Sequence, residues 1–158
     1  MTALGGFSPG DVLTAAELNQ LNNVTALYTA SVQSVPNSTA TSLTYGAGTE
    51  IVDVSGWHST SSNTERITPN VAGIYLVIAN AQLNYVGASK VFEVALFKNT
   101  TITTSTIVEG SFYPGGTTAV IIEMNGTTDY VKTEVFHNVG STTDVFRKGF
   151  SCTLLRKT

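Results

Sequence analysis

The chain has 158 residues, 42% of them hydrophobic and only 12% charged, with a formal net charge of -3 and a pI near 5.2. Globular chains carry about 25% charged residues; here Thr, Ser, Asn and Gly fill the deficit, giving a polar but weakly charged surface. That balance excludes a nucleic-acid binder, which needs clustered Lys and Arg, and excludes disorder, which needs low hydrophobicity and high net charge.

The first 35 residues differ from the rest. Met1 to Gly10 carries no basic stretch and no long apolar run, so neither a signal peptide nor a membrane span is expected, and synthesis in a cytoplasm is. Phe7-Ser-Pro-Gly-Asp-Val-Leu13 reads as an extended segment with a Pro-Gly turn. Thr14-Ala-Ala-Glu17 is a capping box, which predicts a short helix from near Ala15 to near Asn23. Leu18, Leu21, Thr25, Tyr28 and Val32 follow a 3,4 spacing that would make a weak coiled-coil seam. A helix this short is not stable alone, so the segment must dock on something, and Phe7, Val12, Leu13, Leu18 and Leu21 are its candidate docking residues. The expected division is a docking arm over residues 1–27 and one larger domain over 28–158.

From about Tyr28 the pattern is β. Turn clusters at Val35-Pro-Asn-Ser, Tyr45-Gly-Ala-Gly, Lys98-Asn-Thr-Thr, Tyr113-Pro-Gly-Gly, Asn125-Gly and Asn138-Val-Gly-Ser punctuate short apolar runs, as in a sandwich or barrel. Val131, Thr133 and Val135 share a face opposite Lys132 and Glu134, and Thr118, Val120, Ile122 and Met124 share another. Gly73 to Leu83 is apolar on both faces: Ile74, Leu76 and Ile78 on one, Tyr75, Val77, Ala79, Ala81 and Leu83 on the other. A strand in a two-sheet sandwich buries one face only, so the second needs another copy of the chain, and Tyr75, Val77 and Leu83 are the expected subunit contacts. Four of the eight basic residues, Arg147, Lys148, Arg156 and Lys157, fall in the last strand region; they read as a solvated strand edge or as a seat for an acidic partner. Cys152 is the single cysteine and shares a face with Phe150 and Leu154, as an inert core thiol would.

No arrangement for chemistry emerges. His58 and His137 are far apart and form no His-x-His pair, against a metal-binding cupin, and no metal or cofactor is expected. Glu93, Glu109, Glu123, Asp129 and Glu134 are unpaired by any motif, and Gly115-Gly116 after Pro114 reads as a turn rather than a phosphate cradle. The stretches 84–89, 100–110 and 112–117 read as surface loops, with Tyr85, Phe112 and Tyr113 as aromatic residues able either to stack on a ligand or to cap the core.

Two resemblances follow from these residues. Glu65-Arg-Ile-Thr-Pro, Gly73-Ile-Tyr-Leu, Leu96-Phe-Lys-Asn, Asp129-Tyr-Val and Phe150-Ser-Cys-Thr-Leu-Leu, in this order, resemble the trimeric jelly roll of tumour necrosis factor and of complement-type globular heads. The family's Gly-Asp pair is here widened between Gly126 and Asp129, so no calcium ligand is carried over. Phe7-x-Pro-Gly-Asp-Val-Leu-Thr-Ala-Ala-Glu-Leu-Asn is similar to the opening of phage minor tail and fibre proteins. Together they imply an all-β antiparallel jelly roll with a short N-terminal arm holding one short helix. They also imply a homotrimer in a virion, joined to other virion proteins through that arm. The expected role is a small tail fibre or adhesin head without enzymatic activity, reaching a host surface glycan or protein through Tyr85, Phe112 and Tyr113. The alternatives are a capsid decoration protein and, third, a soluble cytokine-like ligand.

Overall fold

Side-chain alternation organises the fold, which a computed structural model describes over residues 23–158. Eleven strands follow in chain order: β1 (Val24–Thr29), β2 (Gln33–Val35), β3 (Thr41–Ser42), β4 (Glu50–Asp53), β5 (Arg66–Ile67), β6 (Ala72–Leu83), β7 (Val86–Lys98), β8 (Thr101–Phe112), β9 (Gly115–Asn125), β10 (Val131–His137) and β11 (Thr143–Lys157). They form two antiparallel sheets. Sheet A has the order β4-β1-β11-β6-β9 with β2 beside β11, and sheet B the order β3-β10-β7-β8 with β5 beside β10. The described residues contain no helix, and the capping box with its expected helix lies outside them, as do Phe7, Val12, Leu13, Leu18 and Leu21.

Strand β1 begins at Val24, so residues 24–27, expected in the arm, belong to the sheet. Thr25 is buried and Tyr28 exposed, on opposite faces of that strand, so the 3,4 seam does not continue through them. The Thr- and Ser-rich stretch expected as a loop over 100–110 is instead the twelve-residue strand β8. Its β-branched residues suit a pleated, half-exposed position better than a turn.

The core lies between the sheets. Tyr75, Val77 and Leu83 of β6 meet Phe92, Val94 and Leu96 of β7, and Val131 and Val135 of β10 join them. The Tyr45 ring lies 5.9 Å from that of Phe150, and Trp57 packs edge-on against Tyr75 at 5.5 Å. Cys152 is buried here, and burial pushes its thiol up to about 12, so it stays protonated and inert at neutral pH. The inward faces expected for β9 and β10 are as the alternation indicated.

One tight junction is fixed by a glycine. Gly126 has φ +70°, and a Cβ there would overlap the Ala72 amide. The Asn125 side chain accepts the amides of Thr127, Thr128 and Asp129, closing the β9–β10 turn. Asp129 is held by Lys98 at 2.9 Å, by Asn99 at 3.0 Å and by the Asn125 amide at 2.9 Å. Burial alone would raise its carboxyl; these donors outweigh that and hold it below the ordinary value. Its oxygens thus serve the hairpin.

Candidate functional site

Two surfaces stand out: the outer face of sheet A and the turn end of the same sheet. The register sets out the first in rows. Ile121, Leu76, Thr153 and Val24 lie side by side across β9, β6, β11 and β1; the next row is Ala119, Ile78, Ser151 and Ala26. No charged residue occurs in either row. Ile121 is 64% exposed, Leu155 51% and Tyr28 45%. Charge appears at the margin, where Ile74 is flanked by Glu123 and Arg156.

This corrects the expected subunit contacts. Tyr75, Val77 and Leu83 have no exposure in the single chain, because they point into the sandwich. The face open to a second copy is that of Ile74, Leu76 and Ile78, which are half-buried and outward. The sequence made β6 apolar on both sides but held no signal of which side sheet B covers.

The basic cluster is also relocated. Strand β11 is central, between β1 and β6, so the four basic residues do not line an edge. The cause of their split is a bulge: Phe146 pairs with Gln82 and Gly149 with Asn80, leaving one extra residue on β11. Before it Val145 points inward; after it the inward residues are Lys148, Phe150, Cys152 and Leu154. Bulges re-aim side chains in this way, and here Phe146 and Arg147 both turn outward.

Lys148 consequently points inward with 3% exposure. Its ammonium donates to Gln33 Oε1 at 2.7 Å and lies 5.8 Å from the Tyr45 ring centre, with no carboxylate paired to it among the described residues. Gln33 Oε1 also accepts the Thr44 amide, and its amide nitrogen donates to the Ser42 carbonyl. Burial lowers the lysine from 10.5 to about 8. The folded chain therefore binds fewer protons than the unfolded chain between those values, so stability should rise as pH increases from about 8 towards 10.5. Below pH 8 the cost of burying the charge is fully present. Lys148→Met should raise the melting temperature at pH 7 by removing a cost of at most ~3 kcal/mol and should abolish the alkaline rise; melting curves from pH 7 to 10.5 check both.

The turn end gathers the aromatic residues singled out from the sequence. The Tyr113 amide donates to the Tyr85 carbonyl at 2.7 Å, and Phe112 pairs with Val86 beside them. Their roles diverge. The Tyr85 ring packs on the core and its hydroxyl donates to the Ala88 carbonyl. Phe112 is 72% exposed. Tyr113 meets Phe146 edge-on at 5.8 Å, with the Arg147 guanidinium 5.2 Å from the Phe146 ring centre. These three residues, with Val32, Gln82 and Asn84, line an open pocket of about 370 Å³. A second pocket of about 290 Å³, floored by Gly115 and Gly116, adjoins it through Gln82 and Arg147. Phe146 and Gln82 were not singled out from the sequence, and Arg147 only as one of the basic cluster; the signal was that Val145 and Phe150, five apart, cannot both face inward on a regular strand.

Both histidines are engaged structurally. His58 Nδ1 lies 2.8 Å from Glu50 and its Nε2 3.2 Å from the Thr64 carbonyl. His137 Nε2 donates to the Val35 carbonyl at 3.1 Å. Glu93 and Glu134 line a cleft of about 70 Å³ on sheet B, too small for a sugar ring, where Glu134 is bonded to Lys132 and Ser42. Among the described residues no three His, Cys, Asp or Glu side chains converge as metal ligands, and no helix is long and apolar enough to cross a membrane.

No protein-family model matches the chain, and no curated protein matches it in sequence. Solved structures do match in fold. The globular domain of zebrafish complement 1qA protein has a TM-score of 0.62 at 11% identity, covering 87% of this chain and 100% of that one. Murine APRIL at pH 8.0 has a TM-score of 0.58 at 13% identity, covering 84% and 98%. The PRD1 vertex protein P5 has a TM-score of 0.56 at 14% identity, covering 85% and 97%. The described residues are thus all-β, with the antiparallel jelly roll of the tumour necrosis factor and complement 1q type.

Proposed function

We propose that the chain is a homotrimeric phage virion structural protein, whose jelly roll projects as a small tail-fibre or adhesin head from a base docked through the N-terminal arm. The two uncharged rows on the outer face of sheet A carry this reading. Leaving them wet would forgo about 1.5–3 kcal/mol for each large apolar side chain, and Val24, Leu76, Ile78 and Ile121 stand together in the two rows, a contiguous apolar patch of the kind that marks an interaction site. The N-terminal resemblance to phage tail proteins and the fold shared with the PRD1 vertex protein P5 support the virion assignment.

The ends of the sandwich fit this orientation. Asn23 lies beside Leu154, and Thr158 beside Ala72, so the first described residue and the C-terminal residue lie at one end. The turns at Asn84, Pro114 and Asp144 lie at the other. The twelve residues of β6 connect the two, a span of roughly 35 Å. Docking through the arm would leave Phe112, Tyr113 and Phe146 outermost. A shell position, as a decoration protein, is the second reading, and the likeness to a protein described as a vertex protein favours it.

Sedimentation at micromolar concentration should give the mass of three chains; a monomer would sink the trimer. An epitope inserted between Ser141 and Thr142, exposed at the turn end, would locate the protein on purified particles by electron microscopy. Label at the tail supports the adhesin, label over the head the decoration protein, and absence from particles overturns both.

A further inference from the structure

We infer that the pocket at the turn end of sheet A binds a glycan carrying a carboxylate, with Arg147 receiving the acid and the Phe146–Tyr113 pair stacking on the sugar ring. This deepens the adhesin reading, but the pocket is complete within one chain.

Backbone geometry points to this place first. Among the described residues, five other than glycine have positive φ: Ser38, Asn63, Asn99, Tyr113 and Arg147. The first three are small polar residues of the kind turns tolerate. Tyr113, at φ 45°, and Arg147, at φ 53°, are bulky, and both line this pocket. Such conformations strain bulky side chains and concentrate at ligand sites.

The chemistry of the lining then selects the ligand. The Arg147 guanidinium contacts only Gln82 Oε1, at 3.4 Å, and the Phe146 ring; no carboxylate pairs with it among the described residues. Asp144, two residues before Phe146 on β11, forms no ion pair with it. An unpaired guanidinium offers a planar fork that fits a carboxylate through two hydrogen bonds. Phe146 and Tyr113 supply apolar ring surface for the C–H face of a pyranose. The side-chain amide of Asn84, with Asn80 and Thr117 of the adjoining pocket, supplies donors and acceptors for hydroxyls, while Gln82 is held by Arg147 and by the Tyr113 carbonyl. The first pocket, at about 370 Å³, falls in the size range of small-ligand sites, whereas a protein partner would need about 800 Å² of matching surface.

Saturation-transfer NMR and titration on the full chain would compare methyl β-D-glucuronide with methyl β-D-glucoside, and 3′-sialyllactose with lactose. The acidic member of at least one pair should bind about tenfold more tightly, equivalent to about 1.4 kcal/mol. Arg147→Asn keeps a residue that tolerates positive φ and removes the charge; it should erase the preference while leaving the weak binding common to both sugars. Arg147→Gly repeats the test should the Asn variant misfold. Phe146→Ala should weaken both members equally. The inference is overturned by acidic and neutral sugars binding alike, by no binding up to ~10 mM, the millimolar range where weak ligands lie, or by a preference that survives loss of Arg147. It is also overturned by a change in oligomer mass in these variants, which would make the pocket a subunit contact. Failure on the sugars leaves sedimentation mass and particle location untouched, so it is separable from failure of the proposed function.

Discussion

Ile121→Asp should convert the assembly into folded monomers. Ile121 sits at the start of the uncharged row with Leu76, Thr153 and Val24, and its side chain is 64% exposed in the single chain. The monomer therefore gives up little on substitution, since exposed changes away from special features stay within about 0.5 kcal/mol. An assembly that buries this face loses the burial of an isoleucine at every copy and places an unpaired carboxylate in each contact, both unfavourable. The expected outcome is a dissociation constant raised at least ~100-fold, with circular dichroism unchanged. Sedimentation at micromolar concentration reads it directly. A variant that keeps the full assembly and its stability would show that subunits meet elsewhere.

How much of this was legible beforehand differed with the physics of each part. Alternation is local, so the inward faces of β9 and β10 and the buried thiol of Cys152 could be read from residue types alone. The class of fold followed from the turn spacing together with the order of motifs. Which face of β6 sheet B covers is a long-range fact: Ile74, Leu76 and Ile78 are as apolar as Tyr75, Val77 and Leu83, and only the second sheet distinguishes them. The aromatic cap of Tyr85 and the exposed Phe112 were likewise indistinguishable in sequence, because burial there depends on how one turn folds back. The pocket was half visible. Tyr113 was a candidate, but Arg147 and Phe146 sat in a basic run that looked like an edge, and the bulge that turns them outward while burying Lys148 is written only in the offset between Val145 and Phe150. Strand β8 was misplaced because Thr and Ser serve both turns and exposed strand edges.

Strand β6 supplies the sharpest contrast, since Tyr75→Ala should destabilise the domain itself rather than dissociate the assembly. Tyr75 has no exposure, packs edge-on against Trp57 at 5.5 Å and donates its hydroxyl to the Val71 carbonyl at 2.6 Å. Burial, with the neighbouring Cys152 thiol adding to it, pushes the phenol up to about 12, so the hydroxyl remains a donor throughout the neutral range. Truncating a buried aromatic ring to Ala costs about 3–5 kcal/mol, against a total stability of about 5–15 kcal/mol for a domain. The expected fall in melting temperature is roughly 10–20 °C. Tyr75→Phe separates the two contributions: it keeps the ring and strands the Val71 carbonyl, costing about 1–3 kcal/mol. Because assembly makes stability depend on concentration, the comparison belongs in the Ile121→Asp background. There a subunit contact has already been removed, so a large loss from Tyr75→Ala can come only from the interior. Had Tyr75 been a contact between copies, the same substitution would leave that monomer as stable as its parent.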